Sequence, residues 1–164
     1  MVETSPILRT ILIPLQRGQV ILPSATLVEV LPYSPPEPSP ETPDWVLGSL
    51  SWRQGRVPII SMDTLVHGDL PEFGARSRIA VLRSLGEAAG IEHYAILIQA
   101  VPRLVTLERK LITLDPTAEE REGVMTSVKV ASQAAYIPDL GHIERVLSPA
   151  FAIQEIETDV GTVA

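Results

Sequence analysis

Three histidines, one Asp-Thr pair and two closely spaced arginines are the residues of this chain whose types invite chemistry. His67, His93 and His142 lie far apart, and none falls in a His-x-x-x-His or His-Glu-x-x-His spacing that sets two imidazoles on one helix face. Asp63-Thr64-Leu65 has leucine where an Asp-Thr-Gly catalytic loop needs glycine for close backbone approach. Cysteine is absent, which removes thiolate nucleophiles, thiolate metal sites and disulfides together. No phosphate-cradling glycine loop, Gly-x-Ser-x-Gly elbow or dinucleotide fingerprint is present. The expectation is a chain with no catalysis, metal or cofactor. A small β-barrel enzyme would have to draw on Asp63, His67 and His142.

The arginines are more informative. In "WVLGSLSWRQGRVPII", residues 45–60, Arg53 and Arg56 bracket Gln54-Gly55. With Gln54-Gly55 as a two-residue turn, Gly55 supplies a positive φ and the arginines become the facing pair that closes the hairpin. Like charges directly opposite each other are mildly destabilising. Two arrangements relieve them: both guanidiniums splay into water, or they take a partner's carboxylate. Trp52 and Val57 are then expected on the core face. Pro58 has no N–H for a ladder, so its strand is at an edge or is interrupted there.

The elements that must position this hairpin read as short strands. "ILRTILIPL" (7–15) and "QVILP" (19–23) flank a turn at Arg17-Gly18, and "TLVEVL" (26–31) follows. Residues 32–43, "PYSPPEPSPETP", hold six prolines in twelve positions, which forbids a strand or helix interior and predicts a stiff surface spacer. A PxxP ligand for another domain is its second reading. "SRIAVLRSL" (77–85) and "HYAILIQAV" (93–101) form a further strand pair, with "RLVTL", "KLITLD", "VMTSVKV" and "AAYIP" after them. "MDTLVHG" (62–68) reads as a short helix or turn. Asp139 as N-cap, with Leu140, Ile143, Val146 and Leu147 at helical spacing, predicts a short C-terminal helix over 139–147. Many short strands at close spacing predict an all-β barrel or sandwich.

The formal charge of −7 disfavours nucleic acid, whose binding rests on clustered cations, and suits a protein partner. Glu3 stands where a secretory leader carries positive charge, and no apolar run reaches the length of a spanning helix. A cytoplasmic protein without membrane insertion is expected.

In order and spacing, "LPSATLVEVL", a proline-rich loop and "WVLGSLSWRQGRVPIISMDTLVHG" resemble the CheW-like adaptor domain of bacterial chemosensory systems. Leu22-Pro23, Leu27-Val28-Glu29-Val30, Gly48, Arg53 and Pro58 fall in step with that family's motifs, and "YAILIQAVPRLVTL" is similar to its second signature strand. Three positions depart: the glycine after the arginine is displaced to Gly55, and Ser61 and Gln99 replace aspartates. The resemblance spans residues 8–148 and leaves 149–164 as a loosely held tail. It implies two SH3-like five-stranded β-barrels sharing an apolar core. It also implies a non-enzymatic adaptor that couples the cytoplasmic tip of a methyl-accepting chemoreceptor to the regulatory domain of a CheA-type histidine kinase. Carried over by position, Leu27, Glu29, Gly48 and Arg53 belong to the receptor groove or its support, with Val101 beside them. Arg56 would reinforce Arg53 or face the kinase. The departures resemble the extra CheW-like proteins of systems controlling type IV pili and twitching motility. A generic β-barrel scaffold without chemosensory partners would carry the same pattern.

Overall fold

A computed structural model describes the backbone of residues 7–86 and 88–161, with side chains as far as Phe151. Two sheets carry the fold. The first runs in the order β8-β1-β2-β11-β10-β9 and the second in the order β3-β6-β7-β5-β4. The strands are β1 (Ile7–Pro14), β2 (Gln19–Pro23), β3 (Leu27–Pro32), β4 (Val46–Trp52), β5 (Gly55–Ile60), β6 (Arg78–Arg83), β7 (His93–Ile98), β8 (Arg103–Glu108), β9 (Ile112–Leu114), β10 (Val124–Val130) and β11 (Gln133–Pro138). Each sheet belongs to one of two SH3-like barrel subdomains. The first sheet counts six strands, and β8 and β9, joined through a 3₁₀ turn at Arg109–Leu111, form its opposite edges.

Strand composition explains the layering. Side chains alternate across a strand, so a strand covered on both faces must be apolar throughout. In β1, Ile11 and Ile13 join the core shared by both sheets while Leu12 points into the first barrel. In β7, Tyr94, Ile96 and Ile98 face the shared core, and Ala95 and Leu97 fill the second barrel. Three apolar layers result, the middle one drawing on both barrels. Helix α1 (Met62–His67) and helix α2 (Leu140–Gly161) add Met62, Val66, Leu140, Ile143, Leu147 and Phe151 to it.

The chain crosses between the sheets twice on this route, at Ser24–Thr26 and at residues 99–102. The two crossings flank β1, since Thr10 lies opposite Pro23 and Leu12 opposite Arg103.

Two segments differ from expectation. The helix predicted over 139–147 continues to Gly161 with Pro149 inside it, and Phe151 beyond that proline is buried. The proposed looseness of 149–164 concerns, past Phe151, side chains outside the described residues. The proline-rich segment is not a free spacer. Glu37 exchanges both backbone hydrogen bonds with Ser49 of β4 at 2.9 Å each, so one residue of the loop is laid against the sheet edge. A single residue between prolines keeps its N–H, which composition averaged over the loop conceals. Among the described residues no helix is long and apolar enough to cross a membrane.

Candidate partner-binding site

The β4–β5 hairpin is one register step away from its expected form. Trp52 pairs with Gly55, Ser51 with Arg56 and Leu50 with Val57, so the two loop residues are Arg53 and Gln54. Arg53 has φ of 54°, whereas Gly55 has no positive φ. The arginines therefore do not face each other. In this register Arg56 lies opposite Ser51, where its guanidinium reaches the Ser49 and Ser51 hydroxyls instead of a second guanidinium.

Arg53 is held over its neighbour. Its guanidinium carbon lies 4.2 Å from the Trp52 ring centroid. The indole N–H donates to Glu29 at 2.8 Å, and an Arg53 nitrogen comes within 4.0 Å of the same carboxylate oxygen. On its other side Trp52 tilts against His93, with centroids 5.0 Å apart. Glu29 from β3, Trp52 and Arg53 from the hairpin and His93 from β7 thus form one cluster at the end of the barrel. The side chain of Arg53 is 62% exposed and Glu29 44%, so the pair is open to water and weak as an internal ion pair. A cation fixed on an aromatic face beside a carboxylate can meet an acidic group of another protein without losing its support.

Arg56 does other work. It donates to the hydroxyls of Ser49 and Ser51, to the Ser49 carbonyl and to the Glu37 carboxylate. Expected to reinforce Arg53 or to face the kinase, it is engaged in this structure with the proline-rich segment. Gly48 serves the same contact. Its φ is 135°, and a Cβ there would lie 1.8 Å from the Glu37 carbonyl oxygen. Leu27 is half-buried at the start of β3 against the shared core, and Val101 is exposed in the link from β7 to β8. Leu27 follows the first crossing and Val101 lies within the second, so both sit at the seam between barrels.

Pro58 does interrupt a ladder. β5 lies inside the sheet, but its parallel pairing with β7 is confined to Ile59 and Ile60. The hairpin tip beyond Pro58 diverges from β7 and opens a cleft of about 1140 Å³, lined by Arg53, Val57, Ile91, His93 and Phe151 among others. In the shared core, the Tyr94 hydroxyl is pushed up in pKa by burial and secondarily by Glu144. Glu144 is fully buried and accepts from the Leu85 N–H.

The residues of the enzyme reading are engaged elsewhere. Asp63 is buried and takes the Gln16 N–H on both oxygens at 3.0 Å and the Arg17 N–H at 3.3 Å. His67 packs edge-on against Tyr136, and its Nε2 lies 3.2 Å from the Arg17 carbonyl. His142 pairs with Glu122 at 2.8 Å. Among the described residues no group of three or more His, Asp or Glu is placed to hold a metal ion. Ser61, in place of an aspartate, caps α1 by accepting from the Thr64 N–H, which an aspartate would also do. Trp52 and His93 as site members were missed by sequence reasoning. The adjacent Trp52-Arg53 pair at a hairpin end was the available signal for the first, and His93 had none.

A family model described as a CheW-like domain matches residues 9–148. Among solved structures, the chain is similar to the scaffolding protein TtCheW from Thermoanaerobacter tengcongensis. The TM-score is 0.66 at 18% identity, over 82% of this chain and 90% of that one, a likeness of fold. A search of curated proteins returned no match.

Proposed function

Because the chain belongs to the CheW-like domain family, we propose that it is a non-enzymatic chemosensory adaptor coupling the cytoplasmic tip of a chemoreceptor to the regulatory domain of a CheA-type histidine kinase. The observation that carries this reading is Arg53. It occupies a positive φ that costs a non-glycine residue about 1 to 2 kcal/mol, although glycine stands two residues away. Strain kept at an exposed cation is characteristic of a contact residue. Leu27, Glu29 and Val101 extend the receptor surface along the seam between barrels, and Gly48 supports it through the proline-rich segment. The displaced glycine and the two lost aspartates favour an accessory adaptor, of the kind serving type IV pilus systems, over a principal coupling protein. The test is calorimetric titration with a receptor-tip fragment and, separately, with the kinase regulatory domain. Micromolar binding to both is expected, weakened for the receptor fragment by Arg53→Glu. Absence of binding to both overturns the reading.

A further inference from the structure

Strand β4 forms one edge of the second sheet. Its residues, VLGSLSW, include no charge and no proline. These are two of the features by which exposed edges normally repel another sheet. The edge is nevertheless occupied at its middle, because Glu37 pairs with Ser49 through both backbone groups. Glu37 lies between Pro36 and Pro38, with Pro35 and Pro40 beyond. Its own N–H points to Ser49, and its neighbours have none, so the outer side of residues 35–38 offers no donor to a further strand. The covering segment ends the sheet instead of extending it.

Two features hold the segment in place. Gly48 leaves room for the Glu37 carbonyl, and the Arg56 guanidinium ties the Glu37 carboxylate to Ser49 and Ser51. We propose that residues 33–43 are an edge guard latched by the Glu37–Arg56 pair, and that the guard prevents β4 of one molecule from pairing with β4 of a second copy. The inference stands on the strand edge itself and does not depend on which partners the adaptor binds.

The test compares wild type with Glu37→Arg, which sets two guanidiniums together at the latch, and with the charge-exchanged Glu37→Arg/Arg56→Glu protein. Hydrogen exchange at the Ser49 amide reads the guard, and sedimentation velocity over a concentration series reads association. In Glu37→Arg, protection of the Ser49 amide is expected to fall by about tenfold or more. A concentration-dependent dimer is expected above any wild-type baseline, and charge exchange should reverse both effects. A Ser49 amide that stays protected overturns the latch, and an exposed Ser49 amide without added association overturns the guard. Should Glu37→Arg fail to fold, Pro36→Val/Pro38→Val decides. It leaves the latch intact but restores donors to the outer side, so it must associate more than wild type, and unchanged association overturns the proposal.

Discussion

Trp52 donates its indole N–H to Glu29 across the end of the second barrel, and the guanidinium of the next residue lies on its ring. The indole is therefore both a plug for the barrel and a platform for Arg53.

Separating these roles needs two truncations. Arg53→Gly and Arg53→Ala both remove the guanidinium, but only glycine relieves the positive φ. The glycine variant should be more stable than the alanine variant by about 1 kcal/mol in urea unfolding. Both should lose receptor-fragment affinity by roughly thirtyfold, near 2 kcal/mol. Equal stabilities would show that the turn is unstrained, while an unchanged affinity would remove Arg53 from the contact surface.

Gly48→Ala tests the proline-rich segment from the other side. A Cβ cannot share space with the Glu37 carbonyl, so the segment must lift and give up its two bonds to Ser49. With the positive φ included, a loss of about 3 kcal/mol is expected. Deleting residues 34–41, which a free spacer would tolerate, should cost stability for the same reason. Chemical denaturation of both proteins checks this.

Asp63 ties the β1–β2 turn of the first barrel to helix α1 of the second. Asp63→Ala leaves the Gln16 and Arg17 amides without that acceptor and should cost about 2 to 4 kcal/mol, with Asp63→Asn costing less because one oxygen remains. Thermal unfolding gives the ordering. Equal losses for the two variants would mean that the charge, not the hydrogen-bonding oxygen, holds the turn.

Tyr94 gives a pH signature. Its hydroxyl is raised in pKa above the ordinary 10.0 by burial and by Glu144. The folded state favours the neutral phenol, so this contribution is complete below the unfolded pKa and is lost as pH rises from there through the folded pKa. Tyr94→Phe should flatten that alkaline decline relative to wild type. Among the described residues the hydroxyl has no hydrogen-bond partner, so at neutral pH the change should be neutral or stabilising by up to about 1 kcal/mol. Urea midpoints between neutral pH and pH near 11 measure both effects.

The strands were legible because burial on both faces writes itself as unbroken apolar runs, as in "RIAVLR" and "HYAILI". Motif spacing singled out Arg53, Glu29, Gly48 and Pro58 as candidates. The hairpin register was not legible: Gln54-Gly55 carries the commoner turn signal, yet the turn falls on Arg53-Gln54, where Arg56 meets serine hydroxyls instead of a like charge. Nor was the role of Arg56, since its partner Glu37 lies 19 positions away. Helix α2 passes Pro149, where local propensity predicts an end, because Leu147 and Phe151 on either side both reach the shared core.

The order of strands along the chain also has a consequence in time. The second barrel's strands, β3 to β7, are contiguous, whereas the first barrel is divided around them, with β1 and β2 made early and β8 to β11 made last. On the ribosome the second barrel can complete its hydrogen bonding first. β1 and β2 must wait for about 80 further residues before β8 emerges, several seconds at ordinary synthesis rates. Through that interval the shared core lacks its other half, and the half-made protein offers Ile11, Ile13, Val20 and Leu22 to whatever chaperone stands at the tunnel exit.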